Sequence, residues 1–130
     1  MAEPTHGDLQ GFVPGRYPID TYGAGGFRFA DMSHRGSILA MPHGIQAWSP
    51  ESAAEIDRAS LRAVREAAGG VELLLLGTGL DIVPLPAELR AWLKEAGIGL
   101  DVMQTGAAAR TYNILMAENR KVAAALIAVA

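Results

Sequence analysis

The residues best suited to chemistry fall into two short segments rich in glycine and threonine. Gly77-Thr78-Gly79 directly follows the apolar run 71–76, where open α/β sheets place their ligands, at the carboxyl end of a strand. Nucleotide fingerprints fail here: the third position beyond Gly79, where a dinucleotide loop has glycine, is Ile82, and no Gly-Lys-Ser/Thr follows. The same three residues also suit a tight turn that carries the strand under a helix, since glycine is a turn residue first. The second segment runs Met103-Gln104-Thr105-Gly106-Ala107-Ala108-Ala109-Arg110-Thr111-Tyr112-Asn113. Thr105 can cap a helix there, with free N–H groups beyond it, while Arg110 and Asn113, at i and i+3, share a face near that positive end. Such an end suits an anion. In the competing reading Thr105 is a cap alone, and Arg110 pairs with Asp81 or Asp101 to fix the packing. Gly77, Thr78, Gly79, Thr105, Arg110 and Asn113 are therefore the candidate ligand-binding residues, and a small anion or carboxylate metabolite is what they would hold.

Other constellations are incomplete. His6, His34 and His43 have neither HxH nor HExxH spacing, so no metal site is expected. Asp31, His34 and Ser37 lie close in sequence, but Ser37 lacks the Gly-x-Ser-x-Gly elbow and all three are ordinary turn residues. The absence of cysteine removes thiolate nucleophiles, disulfides, iron-sulfur clusters and Cys-ligated zinc. No residue set calls for a cofactor or a catalytic mechanism. Trp48 and Trp92 read as core or core rim, and the scattered methionines, Met41 and Met116 among them, as apolar filler.

Composition narrows the classes further. The 130 residues suit one domain of ordinary size. Eleven Lys and Arg against fourteen Asp and Glu give a net charge of -3, which supplies no bulk positive field for nucleic acid. Half the residues are hydrophobic and 19% are charged, enough apolar material for a core. The first residues carry Glu3 and Asp8, with no basic lead and no apolar run of signal-peptide length, so a cytoplasmic location is the expectation. The longest apolar stretch, 122–130, is about half the ~20 residues that cross a bilayer as a helix. It reads as a buried strand, without membrane insertion.

The elements that must position the two segments follow from periodicity and punctuation. Residues 1–15, with Pro4, Gly7, Gly11, Pro14 and Gly15, read as a flexible tail, leaving 16–130 as a single domain. Four short apolar runs, 19–22, 26–30, 37–41 and 45–48, predict an N-terminal β meander. Ser49-Pro50-Glu51 is a helix start signal, and Ala53, Ile56, Ser60, Ala63, Val64 and Ala67 recur at helical spacing until Gly69-Gly70. The four leucines of 71–76 predict a strand buried on both faces. Pro86 opens a second helix with Leu89, Trp92, Leu93 and Ala96 on one face and Gly97 as its stop. A strand over 98–102, a third helix over about 107–118 ended by Asn119, and a strand over 122–129 complete the chain. The order is a meander followed by αβαβαβ, an α/β sandwich with helices covering a mixed sheet.

Several of these segments resemble one known family. They are Thr21-Tyr22-Gly23, Gly26-Phe27-Arg28, Gly36-Ser37-Ile38-Leu39, Trp48, Leu73 through Gly79, and above all Met103-Gln104-Thr105 through Ala108-Ala109-Arg110-Thr111-Tyr112-Asn113 to Glu118-Asn119-Arg120-Lys121-Val122. The pattern is similar to the small Mth-type domain family, of unknown function, which includes the mitochondrial respiratory complex I assembly factor 3 and an adipogenesis-associated protein. The resemblance covers about residues 17–127. It implies a three-layer α/β fold around a mixed sheet and no established catalytic activity. Asn119 stands where relatives usually have glycine, a conservative exchange at a left-handed cap. Ala109 stands where many have cysteine, so thiol chemistry imagined for them cannot operate here. The expected function is that of a non-enzymatic interaction domain, resembling an assembly factor, whose protein partners by this resemblance would be respiratory-complex subunits. The alternative is a metabolite-binding protein or unrecognised enzyme using the two Gly-Thr segments. Oligomeric state is open at this level.

Overall fold

The computed structural model describes residues 12–67 and 69–130. Six strands form one mixed sheet: β1 (Phe12–Pro14), β5 (Ile38–Met41), β6 (Gly44–Ala47), β7 (Leu73–Gly77), β8 (Gly99–Met103) and β9 (Val122–Leu126). Their order is β1-β6-β5-β9-β7-β8; the β1 to β9 half is antiparallel, and β9, β7 and β8 are parallel. Three further strands, β2 (Thr21–Gly23), β3 (Gly26–Phe29) and β4 (Met32–Arg35), make a separate antiparallel sheet. The helices are α1 (Arg58–Glu66), α2 (Ala87–Glu95) and α3 (Thr105–Ala117).

Alternation along the central strands divides the core in two. Leu74, Leu76, Leu39, Met41, Ala123 and Ala125 point to one face, where they meet Leu61 and Val64 of α1 and Leu89 and Leu93 of α2. Leu75, Ile38, Ala40, Ala124 and Leu126 point to the other, against Ala108, Ala109 and Tyr112 of α3 and Phe27 and Phe29 of the small sheet. The result is three layers: α1 and α2, the mixed sheet, then α3 beside the three-stranded sheet. This is the expected α/β sandwich, with β7 buried between two parallel neighbours as its leucines predict.

The differences from expectation are local. The meander has five strands, not four, and splits between two sheets. Met32–Arg35 was hidden because Asp31 and His34 look like turn residues; the actual turn is Ala30-Asp31, both at positive φ (50° and 61°), the two-residue geometry that follows a strand's natural twist. Ala24 and Gly25 repeat it between β2 and β3 (φ 53° and 84°). Phe12–Pro14, read as tail, pairs with β6 as the edge strand; residues 1–11 of that reading lie outside the described residues.

Helix α1 starts later than Ser49-Pro50-Glu51 suggests. A single 3-10 turn, Ala53–Glu55, comes first, and the helix proper starts after Asp57. Asp57 and Ser60 form a reciprocal capping box: the carboxylate accepts from Ser60 N at 2.9 Å and the Ser60 hydroxyl accepts from Asp57 N at 3.0 Å. Satisfying two orphan donors at once makes this the stronger start, and the Trp48 indole N–H, donating to Ser60 O at 2.7 Å, pins the first turn to the core. The positive φ at Gly97 (79°) and Asn119 (63°) places the α2 and α3 stops where the sequence predicts them. Asp57→Ala should lower stability by about 1 kcal/mol, read as a fall of about 3–6 °C in melting temperature by calorimetry, with the fold retained.

Candidate functional site

Connections from the carboxyl ends of β7 and β8 diverge. The chain leaves β7 for α2 on one face of the sheet and leaves β8 for α3 on the other, which is the arrangement that opens a ligand crevice in α/β sheets. Both Gly-Thr segments lie there, as their positions after the strands require. In this chain the loops are tied to each other. Thr78 N donates to Met103 O at 2.9 Å and Thr105 N to Gly79 O at 2.9 Å. Gln104 Nε2 donates to Leu80 O at 2.7 Å.

Thr105 is at the centre. It is not the cap but the first residue of α3, with Gln104 preceding it and making no side-chain cap. Its hydroxyl is fully buried, donates to Ile127 O at 2.7 Å and accepts from Gly79 N at 3.0 Å. One side chain thereby joins the β7 turn, the start of α3 and the exit of β9. Gly77 is required beside it, because a Cβ there would lie 2.8 Å from Thr105 Cα, closer than packing permits. The Thr78 hydroxyl is engaged as well, donating to Asp81 O at 2.6 Å and accepting from Val83 N at 3.0 Å.

Arg110 and Asn113 part company. Asn113 is turned to the small sheet, its amide donating to Ile19 O and accepting from Ile19 N, each at 2.8 Å, so it closes a two-bond clamp on the backbone leading into β2. Arg110 is exposed and makes no hydrogen bond or ion pair with any described residue. Neither Asp81 nor Asp101 pairs with it; the two ion pairs among the described residues are Arg58–Glu88 and Arg65–Glu95. Gly77, Thr78, Gly79 and Thr105 are therefore brought together, Asn113 is bound to Ile19 instead, and Arg110 is left exposed.

Other sequence candidates take structural places. His34 Nε2 lies 3.3 Å from the Ser37 carbonyl, while the Ser37 hydroxyl accepts from Ala128 N at 3.0 Å. Asp31 is in the hairpin turn, so the three do not assemble as nucleophile, base and orienter. The guanidinium groups of Arg58 and Arg65 both lie over the Trp92 ring, at 5.6 and 5.1 Å from its centre. Among the described residues no group of three His, Asp or Glu side chains could hold a metal ion, and no helix is long and apolar enough to cross a membrane.

Two concavities flank these elements. A groove of about 500 Å³ runs between residues 51–54, the 78–83 loop and the 127–130 strand exit. Beside it the loop exposes Leu80 (70%), Ile82 (62%) and Val83 (41%). A larger cleft of about 580 Å³ lies on the three-stranded sheet, lined by Thr21, Gly23, Gly26, Arg28, Ser33 and Arg35 among others. Sequence reading missed it because its β4 wall was taken for a turn; the usable signal was the alternation of Arg28 with Phe27 and Phe29.

A family model described as "Protein of unknown function (DUF498/DUF598)" matches residues 19–127. The chain belongs to this family. Among its relatives is an uncharacterised protein of Rhodobacter capsulatus, 43% identical over 87% of this chain and 86% of the relative. Another is the NADH dehydrogenase [ubiquinone] 1 alpha subcomplex assembly factor 3 of Xenopus tropicalis, 30% identical over 84% of this chain. The matched part is 60% of that assembly factor's length. A Bordetella pertussis protein described as a Mth938-like domain shares the fold with TM-score 0.76 and 30% identity, covering 85% of this chain and 84% of that one. This is the Mth-type resemblance drawn from the sequence. A Bartonella henselae structure described as an outer membrane protein aligns with TM-score 0.87 and 51% identity over 90% of this chain and 98% of its own.

Two predictions follow from these contacts. Thr105→Val leaves the Gly79 N–H and Ile127 carbonyl unsatisfied in the interior and should cost about 2–4 kcal/mol; Asn113→Ala should cost about 1–2 kcal/mol and Arg110→Ala no more than about 0.5 kcal/mol. Urea titration of the three variants checks that order. The second concerns Tyr112, which is fully buried, its hydroxyl without a hydrogen-bond partner among the described residues. Burial raises its pKa above the ordinary 10.0, and the Arg16 guanidinium pulls it back in part. Above that value the unfolded phenol ionises while the folded one keeps its proton, so stability falls as pH rises through and beyond about 10. Tyr112→Phe should remove that part of the alkaline loss and leave stability at pH 7 unchanged or higher, as denaturant midpoints at the two pH values would record.

Proposed function

We propose that this chain is a non-enzymatic assembly factor that binds a subunit of a respiratory, complex I-like enzyme. The observation that carries the proposal is sequence identity of 30–35% over 109 residues with the complex I assembly factor 3 of Xenopus tropicalis and Danio rerio. Those factors are longer proteins, and the matched region is 60–63% of each, so the part they share with this chain is a single domain.

The geometry supports a surface rather than a pocket. Thr78 and Thr105 spend their hydroxyls on the chain's own backbone, and the loop they stabilise holds Leu80, Ile82 and Val83 out in solvent. Clustered exposed apolar side chains are characteristic of protein contacts. Arg110 and Ile114, four residues apart on α3 and both exposed, offer a second exposed face with a cation beside an apolar group. Loop and helix face together suit a partner that offers apolar side chains and a carboxylate. We place the chain in the cytoplasm, meeting the membrane complex from its water-soluble side. The alternative, a metabolite cradle of Gly77, Thr78, Gly79, Thr105, Arg110 and Asn113, has weaker support, because the Thr78, Thr105 and Asn113 polar atoms it would use are engaged with backbone.

The test is affinity purification from native extract, with soluble and detergent-solubilised membrane fractions run side by side. The bait is the wild type, Arg110→Ala or Leu80→Asp/Ile82→Asp. Co-purification of subunits of an NADH–quinone oxidoreductase with the wild type, reduced severalfold in the folded variants, is the expected result. Recovery of no such subunit from either fraction, or equal recovery with all three baits, would overturn the assignment of function or of surface respectively.

A further inference from the structure

We propose that the cleft on the three-stranded sheet is a binding site for the phosphate group of a small molecule. The register defines its lining. Thr21, Arg28 and Ser33 are directly opposed across β2, β3 and β4, as are Gly23, Gly26 and Arg35 two residues further along. Both rows lie on one face, because side chains two apart in a strand point the same way. Phe27 and Phe29 occupy the opposite face and are buried in the core.

The outward face thus has a hydroxyl-and-guanidinium row, then a row whose first two positions have no side chain. The missing side chains make the floor. Gly26 cannot be replaced, since a Cβ would run into the His34 carbonyl. Gly23, at φ 122°, faces open space. Arg35 stands at the end of the glycine row, and its guanidinium reaches toward the Ala24-Gly25 turn, with Nη1 3.8 Å from where a Cβ of Gly25 would be. Arg28 borders the floor on the other side, with Nη1 donating to the Ser33 hydroxyl at 2.7 Å.

The electrostatics follow from the lining. Two guanidinium groups face the cleft, and no Asp or Glu is among its lining residues. Arg35 makes no hydrogen bond or ion pair with any described residue, and Arg28 has only a neutral acceptor. In a chain of net charge -3 this is a local reversal of sign. Planar guanidinium forks match phosphate oxygens two at a time, and the Thr21 and Ser33 hydroxyls add donors. Two cations balance a phosphate monoester dianion better than a monovalent carboxylate. A volume of about 580 Å³ falls within the range of small-molecule sites, with room for more than the phosphate itself.

This site shares no residue with the surface assigned to protein contact, so either can fail alone. The test is a ¹H–¹⁵N correlation titration with inorganic phosphate and with pyrophosphate, each against sodium chloride at matched ionic strength. The protein is wild type, Arg35→Gln or Arg28→Gln. The expected result is saturable shifts confined to amides of residues 21–28 and 33–35, tighter for pyrophosphate, and weakened at least tenfold in either variant while the rest of each spectrum stays native. Shifts that do not saturate, that chloride reproduces, that centre elsewhere, or that persist unchanged in both variants would overturn the proposal.

Discussion

The close approach of α3 to strands β7 and β9 is the constraint on which the remaining structure depends. Helix and sheet usually keep their distance because side chains intervene; here Gly77, Thr105, Ala108, Ala109 and Ala124 of β9 bring small residues into that interface. Small residues give up apolar area, roughly 1.5–3 kcal/mol for each large aliphatic side chain not present. The approach brings the Thr105 hydroxyl within hydrogen-bonding reach of two other segments. Since a buried polar group left unpaired costs about as much as such an area gains, hydroxyl and short distance are mutually dependent. Neither can be altered alone.

That dependence settles what became of the crevice. Diverging connections after β7 and β8 create the opening in which related topologies hold cofactors. The Gly-Thr segments lie at that opening because they directly follow β7 and β8. What the sequence could not show was that the donors and acceptors there face one another. A Gly-Thr-Gly turn aimed at a phosphate and one aimed at a neighbouring threonine have the same composition; only the 26-residue separation between Gly79 and Thr105, closed by the fold, distinguishes them. The same holds for Asn113, whose spacing from Arg110 is right for a shared face but whose partner, Ile19, is 94 residues away.

Elements with strong internal periodicity were legible: the leucines of β7, the Leu89/Leu93 stripe of α2, the Asn119 stop and the α/β order itself. The losses share a cause. The start of α1 was misplaced because two valid signals lay eight residues apart, and the reciprocal Asp57–Ser60 pair satisfies more backbone donors than Ser49-Pro50 does. Strand β4 was lost because its turn uses Ala30 at positive φ, where alanine gives no signal; cross-strand pairing with β3 imposes the geometry. Local preference yields to tertiary pairing wherever the two conflict.

With the crevice tied shut, polar capacity moves outward. In the interior, the Ser37, Thr78 and Thr105 hydroxyls and the Asn113 amide are spent on backbone, which rigidifies the sheet–α3 layer. Arg28 and Arg35 stand on the far side of the small sheet, whose inner face is fixed by Phe27 and Phe29 against the rigid layer. A β-hairpin alone would hold two arginines only loosely, because an isolated two-stranded hairpin is marginally stable in water. Packed on α3 through the Asn113–Ile19 clamp, it holds their Cα atoms at fixed separation, so less ordering has to accompany ligand capture. The threonine that seals one site is thus part of what makes the other precise.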